Sequence, residues 1–95
     1  MKISEIKTGE GKINVEGNIN NIGDTRVFNK FGRELKVANA ILEDDSGTIK
    51  VSLWNDEISL VKEGAKIKIV NGFCSEFQGE KQLSAGKFGK LEIVE

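Results

Sequence analysis

Between Thr48 and Trp54 three aliphatic residues, Ile49, Val51 and Leu53, alternate with Lys50, Ser52 and Trp54. In a strand with its aliphatic side chains inward, the second set must point outward. An indole plate beside an ammonium and a hydroxyl suits stacking on an unpaired nucleobase while a phosphate is neutralised. The alternative is that a loop or short helix folds over Trp54 and makes it part of a satellite apolar cluster.

A second set is Arg26-Val27-Phe28-Asn29-Lys30-Phe31-Gly32-Arg33. From Arg26 to Lys36 stand four basic residues, Arg26, Lys30, Arg33 and Lys36, against one acid, Glu34, in a chain whose net charge is -1. Arg26, Lys30 and Arg33 would attract a phosphate backbone, with Phe28 and Phe31 as stacking rings. Either Phe could equally tuck into the end of the domain and pin the segment. A third set is Phe73-Cys74-Ser75-Glu76-Phe77-Gln78-Gly79. Phe73 and Phe77 share parity with Ile67 and Ile69, so an unbroken strand puts both in the core, whereas a bulge at Gly72 would turn them outward. Periodicity alone favours the core for Phe73 and leaves Phe77 open. Phe88, between Lys87 and Lys90, reads as a loop anchor.

Other chemistries are excluded by composition. With no His and a single Cys, neither a Cys/His zinc site nor a His-based nucleophile can be assembled, and no catalytic set or cofactor site is expected. Gly86-Lys87 and Gly9-Glu10-Gly11-Lys12 lack the spacing of a phosphate-cradling nucleotide loop. Glu43, Asp44 and Asp45 read as a turn rather than a cation site, and Cys74 as a small buried side chain. The lone thiol and the lack of an apolar run near about 20 residues fit a cytoplasmic protein with no membrane partner.

Positioning these residues takes a small β domain. A chain of 95 residues supports one core. Strand alternation runs through Ile13, Val15 and Ile19, with a bend or bulge suggested at Gly17, and resumes from Leu35 to Leu42 with a parity slip that a bulge or two-faced burial would explain. Gly23 to Gly32 between them reads as a long loop or flexible hairpin end. Glu43 to Gly47 forms a tight turn into Thr48 to Trp54. Asp56 is expected to cap a helix of about two turns ending before Gly64. Lys66 to Val70, Gln82 to Ala85 and Leu91 to Val94 are strand-like. The resulting order is all-β: a five-stranded OB-fold Greek-key barrel with a short helix between strands 3 and 4. An SH3-like barrel ranks second because it usually lacks that helix.

The run Asp44-Asp45-Ser46-Gly47-Thr48-Ile49-Lys50-Val51-Ser52-Leu53-Trp54-Asn55-Asp56, with Val61-Lys62-Glu63-Gly64, Asn71-Gly72-Phe73 and Phe77-Gln78-Gly79, resembles the replication protein A and archaeal single-stranded DNA-binding protein family. Arg26-Val27-Phe28 with Gly32 is similar to that family's loop after the first strand. The resemblance implies that Trp54, Phe73 and Phe77 are base-stacking aromatics, that the partner is single-stranded DNA, and that replication or repair proteins are further partners. Family members carry a flexible tail or string several OB domains together, so residues 1–95 are read as one OB domain, with a longer native protein left open. Two other readings remain: a protein-interaction OB domain and an RNA-binding OB module.

Overall fold

A computed structural model describes residues 2–85 and 89–94, apart from the side chain of Phe77. Phe88 and Lys87, singled out above, lie outside the described residues.

Among the described residues there are seven strands: β1 (Ile13–Asn20), β2 (Arg26–Lys30), β3 (Arg33–Asp44), β4 (Gly47–Trp54), β5 (Lys66–Phe77), β6 (Glu80–Ser84) and β7 (Lys90–Ile93). Five of them close a ring in the order β1-β3-β4-β6-β5, the fifth pairing back onto β1. The closure is antiparallel except between β4 and β6, where Lys50, Val51 and Ser52 run parallel to Gln82, Leu83 and Ser84. This is the OB barrel that the strand order implies. β7 continues along β5 beyond β6, so the two strand-like segments near the C-terminal end are halves of one interrupted barrel strand. The helix α1 (Asp56–Leu60) sits between the third and fourth barrel strands as expected, although it is only five residues long.

Alternation builds the core. Ile13, Val15 and Ile19 of β1, Ile49, Val51 and Leu53 of β4, and Ile67 and Ile69 of β5 all point inward and are 0 to 6% exposed. Ile3 and Ile6, on and just after a single 3-10 turn at Ile3–Glu5, join them. Fully burying one such side chain contributes about 1.5–3 kcal/mol, enough for this cluster to hold the strand faces in phase.

Several local expectations are corrected. Gly23 to Gly32 is not all loop: β2 pairs with β3 from Arg26↔Val37 to Lys30↔Arg33. The two linking residues, Phe31 and Gly32, have φ of 53° and 74°, the left-handed pair that a two-residue hairpin needs to match strand twist. The parity slip in β3 is two-faced burial, because its register with β4 is unbroken from Val37↔Trp54 to Asp44↔Gly47. Gly17 hosts no bulge; a Cβ there would run into the Glu43 carbonyl of the neighbouring strand. Asp56 is the first helical residue and Asn55 the cap position. Asn55 is tied to β3 instead, its N–H donating to the Lys36 carbonyl (2.9 Å) and its Oδ1 accepting from the Lys36 N–H (3.0 Å).

Candidate nucleic-acid interface

Trp54, Ser52 and Lys50 do face away from the core, but they are not equally open. Ser52 is 6% exposed and bonded to the Gln82 side-chain amide. Trp54 is half-buried, with the Phe28 ring edge-on to it at 6.0 Å between centroids and 80° between planes. Neither the loop cover nor the bare plate describes it: β2 lays one aromatic edge along the indole and leaves part of the ring accessible. Behind it, the Trp54 backbone N–H donates to Glu57 Oε1 at 2.9 Å. Burial raises the Glu57 pKa, and that hydrogen bond opposes the shift.

The barrel register turns these side chains into rows. Arg26, Val37 and Trp54 are cross-strand neighbours on β2, β3 and β4. Asn39, Ser52, Ser84 and Phe73 form the next row, through β3, β4, β6 and β5. Ile41, Lys50, Gln82 and Ser75 form the third. Paired residues project to the same face, so the outer wall carries Trp54 near one side and Phe73 on the other.

Phe73 is there because β5 changes phase. Odd-numbered Ile67 and Ile69 are buried, but beyond Asn71 it is Gly72 and Cys74 that point inward, and Phe73 is 50% exposed. The register against β1 slips by one between Val15↔Ile69 and Ile13↔Gly72, and Asn71 takes φ 57°. The parity expectation of a core Phe73 therefore fails for the reason the bulge alternative named. Asn71 supplies the left-handed residue, while Gly72 is required for space: a Cβ there would stand 2.7 Å from Ile69 Cγ2 and 3.0 Å from the Ser84 carbonyl oxygen. Cys74 is buried as expected, and burial raises its pKa.

Against Trp54 lies a groove of about 720 Å³ whose lining includes Arg26, Lys50 and Ser52 and, unforeseen, Asn39, Ser75, Gln78, Glu80, Gln82 and Ser84; Phe73 stands outside that lining, next to Ser84 in the register. This amide and hydroxyl floor can bond base edges or sugars without imposing one pattern. Its members were legible only as the polar half of alternating strands, as Gln82 and Ser84 are around Leu83. Electrostatically the groove is close to balanced, since Lys50 Nζ is ion-paired to Glu80 Oε2 at 3.1 Å.

Lys30, Phe31 and Arg33 are not brought to this groove. They sit at the tip of the β2–β3 hairpin, where Phe31 is 92% exposed and Lys30 Nζ stands 5.6 Å from its ring centroid. Of Phe77 the backbone is described, pairing with Glu80 at the end of β5. The acidic turn is a structural clamp. Asp44 Oδ1 accepts from the Ser46 N–H (2.7 Å), the Ser46 hydroxyl (2.6 Å) and the Gly47 N–H (3.1 Å), while Oδ2 accepts from the Ile3 N–H (2.9 Å). Desolvation would raise the Asp44 pKa, but these bonds outweigh it and hold it at about 2.

Residues 11–93 match the family model described as single-stranded DNA binding protein Ssb-like, OB fold. The single-stranded DNA binding protein Ssb of Saccharolobus solfataricus is 28% identical over 90 residues, covering 95% of this chain and 61% of that protein. Replication factor A of Methanothermobacter thermautotrophicus is 37% identical over 98 residues, covering 98% of this chain but only 12% of the relative. The chain thus spans only part of the length of both. Among solved structures, a replication factor A related protein from Methanobacterium thermoautotrophicum superposes with a TM-score of 0.81 at 29% identity, covering all of this chain and 90% of that one. The second OB-fold domain of replication protein A from Methanococcus maripaludis has a TM-score of 0.80 at 21% identity, covering 100% and 94%, a likeness of fold.

Proposed function

Because this chain belongs to the Ssb-like, OB-fold family of single-stranded DNA-binding proteins, we propose that it binds single-stranded DNA without strong sequence preference, in replication and repair. Its role is binding rather than catalysis. The observation that carries the reading is the placement of two part-exposed rings on one outer wall: Trp54 lines a polar groove, and Phe73 ends the cross-strand row of Asn39, Ser52 and Ser84 that lines it too. Bases stack on Trp54 and Phe73, each stack worth about 1–3 kcal/mol, and every base has a π-face to offer. Phe77, two residues beyond Ser75 on β5, extends the same series by family likeness.

Lys50 and Arg26 meet phosphates from within the groove, and Lys30 and Arg33 meet them from the hairpin tip. With three or four such contacts, log K falls with log salt at a slope of about -2 to -3. Phe28 acts through Trp54, its ring set edge-on to the indole, and Phe31 adds a ring at the tip. Ser52, nearly closed off by Gln82, supports the floor.

Trp54 is the only Trp, so its emission reports the site. Titration with oligothymidylate of about 12 to 20 nucleotides at low salt is expected to quench it. No quenching, together with oligomers on sizing, would replace this reading with a protein-interaction domain. Equal titration by RNA of the same length would keep nucleic-acid binding but remove the preference for DNA, since no groove residue is committed to a 2′-hydroxyl.

A further inference from the structure

The Lys50–Glu80 pair has a position that the stacking reading leaves unexplained. Beside the main groove lies a second hollow of about 500 Å³ whose lining includes Ser4, Ser46, Thr48 and Lys81. Both hollows are also lined by Lys50 and Glu80. The pair joins β4 to the start of β6, with Nζ and Oε2 3.1 Å apart and both side chains open to solvent. It therefore forms a charged divide between the two concavities.

Glu80 occupies the ammonium that the alternation in β4 delivers to the groove. We infer that Glu80 limits affinity by holding Lys50, so that a strand passes from the main groove into the Ser46–Lys81 hollow only when the pair opens. This rests on the single-stranded DNA reading above. The consequence for salt dependence is specific. While Glu80 holds Lys50, that ammonium neutralises no phosphate and releases no counterion from the strand. With a neutral residue at position 80 Lys50 is free to do so, which adds about 0.7 to the steepness of the slope on a single strand.

The test is Trp54 quenching by oligothymidylate of about 20 nucleotides over a salt series, with wild type, Glu80→Gln and the double variant Lys50→Ala/Glu80→Gln. Both side chains are exposed, so thermal melts should match wild type. Glu80→Gln should bind about two- to fivefold tighter at low salt, the range an exposed ion pair carries, with a slope steeper by about 0.7. The double variant should lose both gains. Unchanged affinity or slope in Glu80→Gln overturns the inference. So does a gain that survives in the double variant, which would make Glu80 a general repeller of phosphate rather than a latch on Lys50. If neither wild type nor Glu80→Gln is quenched, it is the DNA-binding reading itself that falls.

Discussion

The two ends of β3 are both closed by two-residue hairpins, yet one is locked and the other is open. At the far end, Asp44 gathers four hydrogen bonds and ties the β3–β4 turn to Ile3 and Ser46. At the near end, Phe31 and Gly32 make the turn by backbone conformation, and every residue of β2 is exposed. Among the described residues β2 pairs with β3 alone, whereas the barrel part of β3 lies between β1 and β4. Two turns of equal length therefore lead to a wall where the opposite face is buried and to a projecting arm where it is not. The aromatic residues divide the same way: Trp54 and Phe73 stand on strands whose inward neighbours Leu53 and Cys74 are fully buried, while Phe31 has no such backing.

If the wall carries affinity and the arm assists, Trp54→Ala should weaken oligothymidylate binding by about 10- to 100-fold, the worth of one stacked base. The salt slope should stay as it was, because no cation is removed. Binding by this variant is read by anisotropy of a labelled strand, since the reporter is gone. Phe31→Ala giving an equal loss would break the wall-and-arm division.

The locked end makes a stability prediction of comparable size. Asp44→Ala removes an acceptor from four donors and should cost about 2 kcal/mol in chemical denaturation. At the open end, Gly32→Ala meets nothing within 4 Å and bears only the strain of φ 74°, about 1 kcal/mol. Reversal of that order would mean that the arm, not the clamp, organises β3.

Smaller still is the electrostatic share of the arm. Lys30→Ala/Arg33→Ala should flatten the salt slope by about 0.7 for each cation that reaches phosphate and leave denaturation midpoints within about 0.5 kcal/mol. The acid limb of stability should show the clamp from the other side. The Asp44 pKa is lowered on folding, to about 2, so its contribution is fully present above the ordinary carboxylate range near 3.9 and is lost as pH falls towards 2. Asp44→Asn should remove that part of the pH dependence between about pH 4 and 2, as read from denaturation midpoints.

Much of this molecule follows from period-two alternation, which is a local property of the chain. The inward set of β4 sent Lys50, Ser52 and Trp54 outward, the glycine-bounded acidic turn made a hairpin, and strand order with a short helix led to the OB barrel. Membership of the family was likewise carried by residues readable in order, from Asp44 to Asp56. What tertiary structure alone decided is non-local. Strand pairing with β1 and β6 determined where β5 slips phase, so Phe73 left the core at Asn71 against its own parity. Pairing with β3 drew Arg26 to Lys30 out of an apparent loop into a strand and set Phe28 against Trp54. Parallel closure of β4 on β6 brought Gln82 under Ser52 and Glu80 onto Lys50. A residue's type and the parity of its neighbours show which face it takes, but its partner across the sheet depends on register, and register is settled only when the barrel closes.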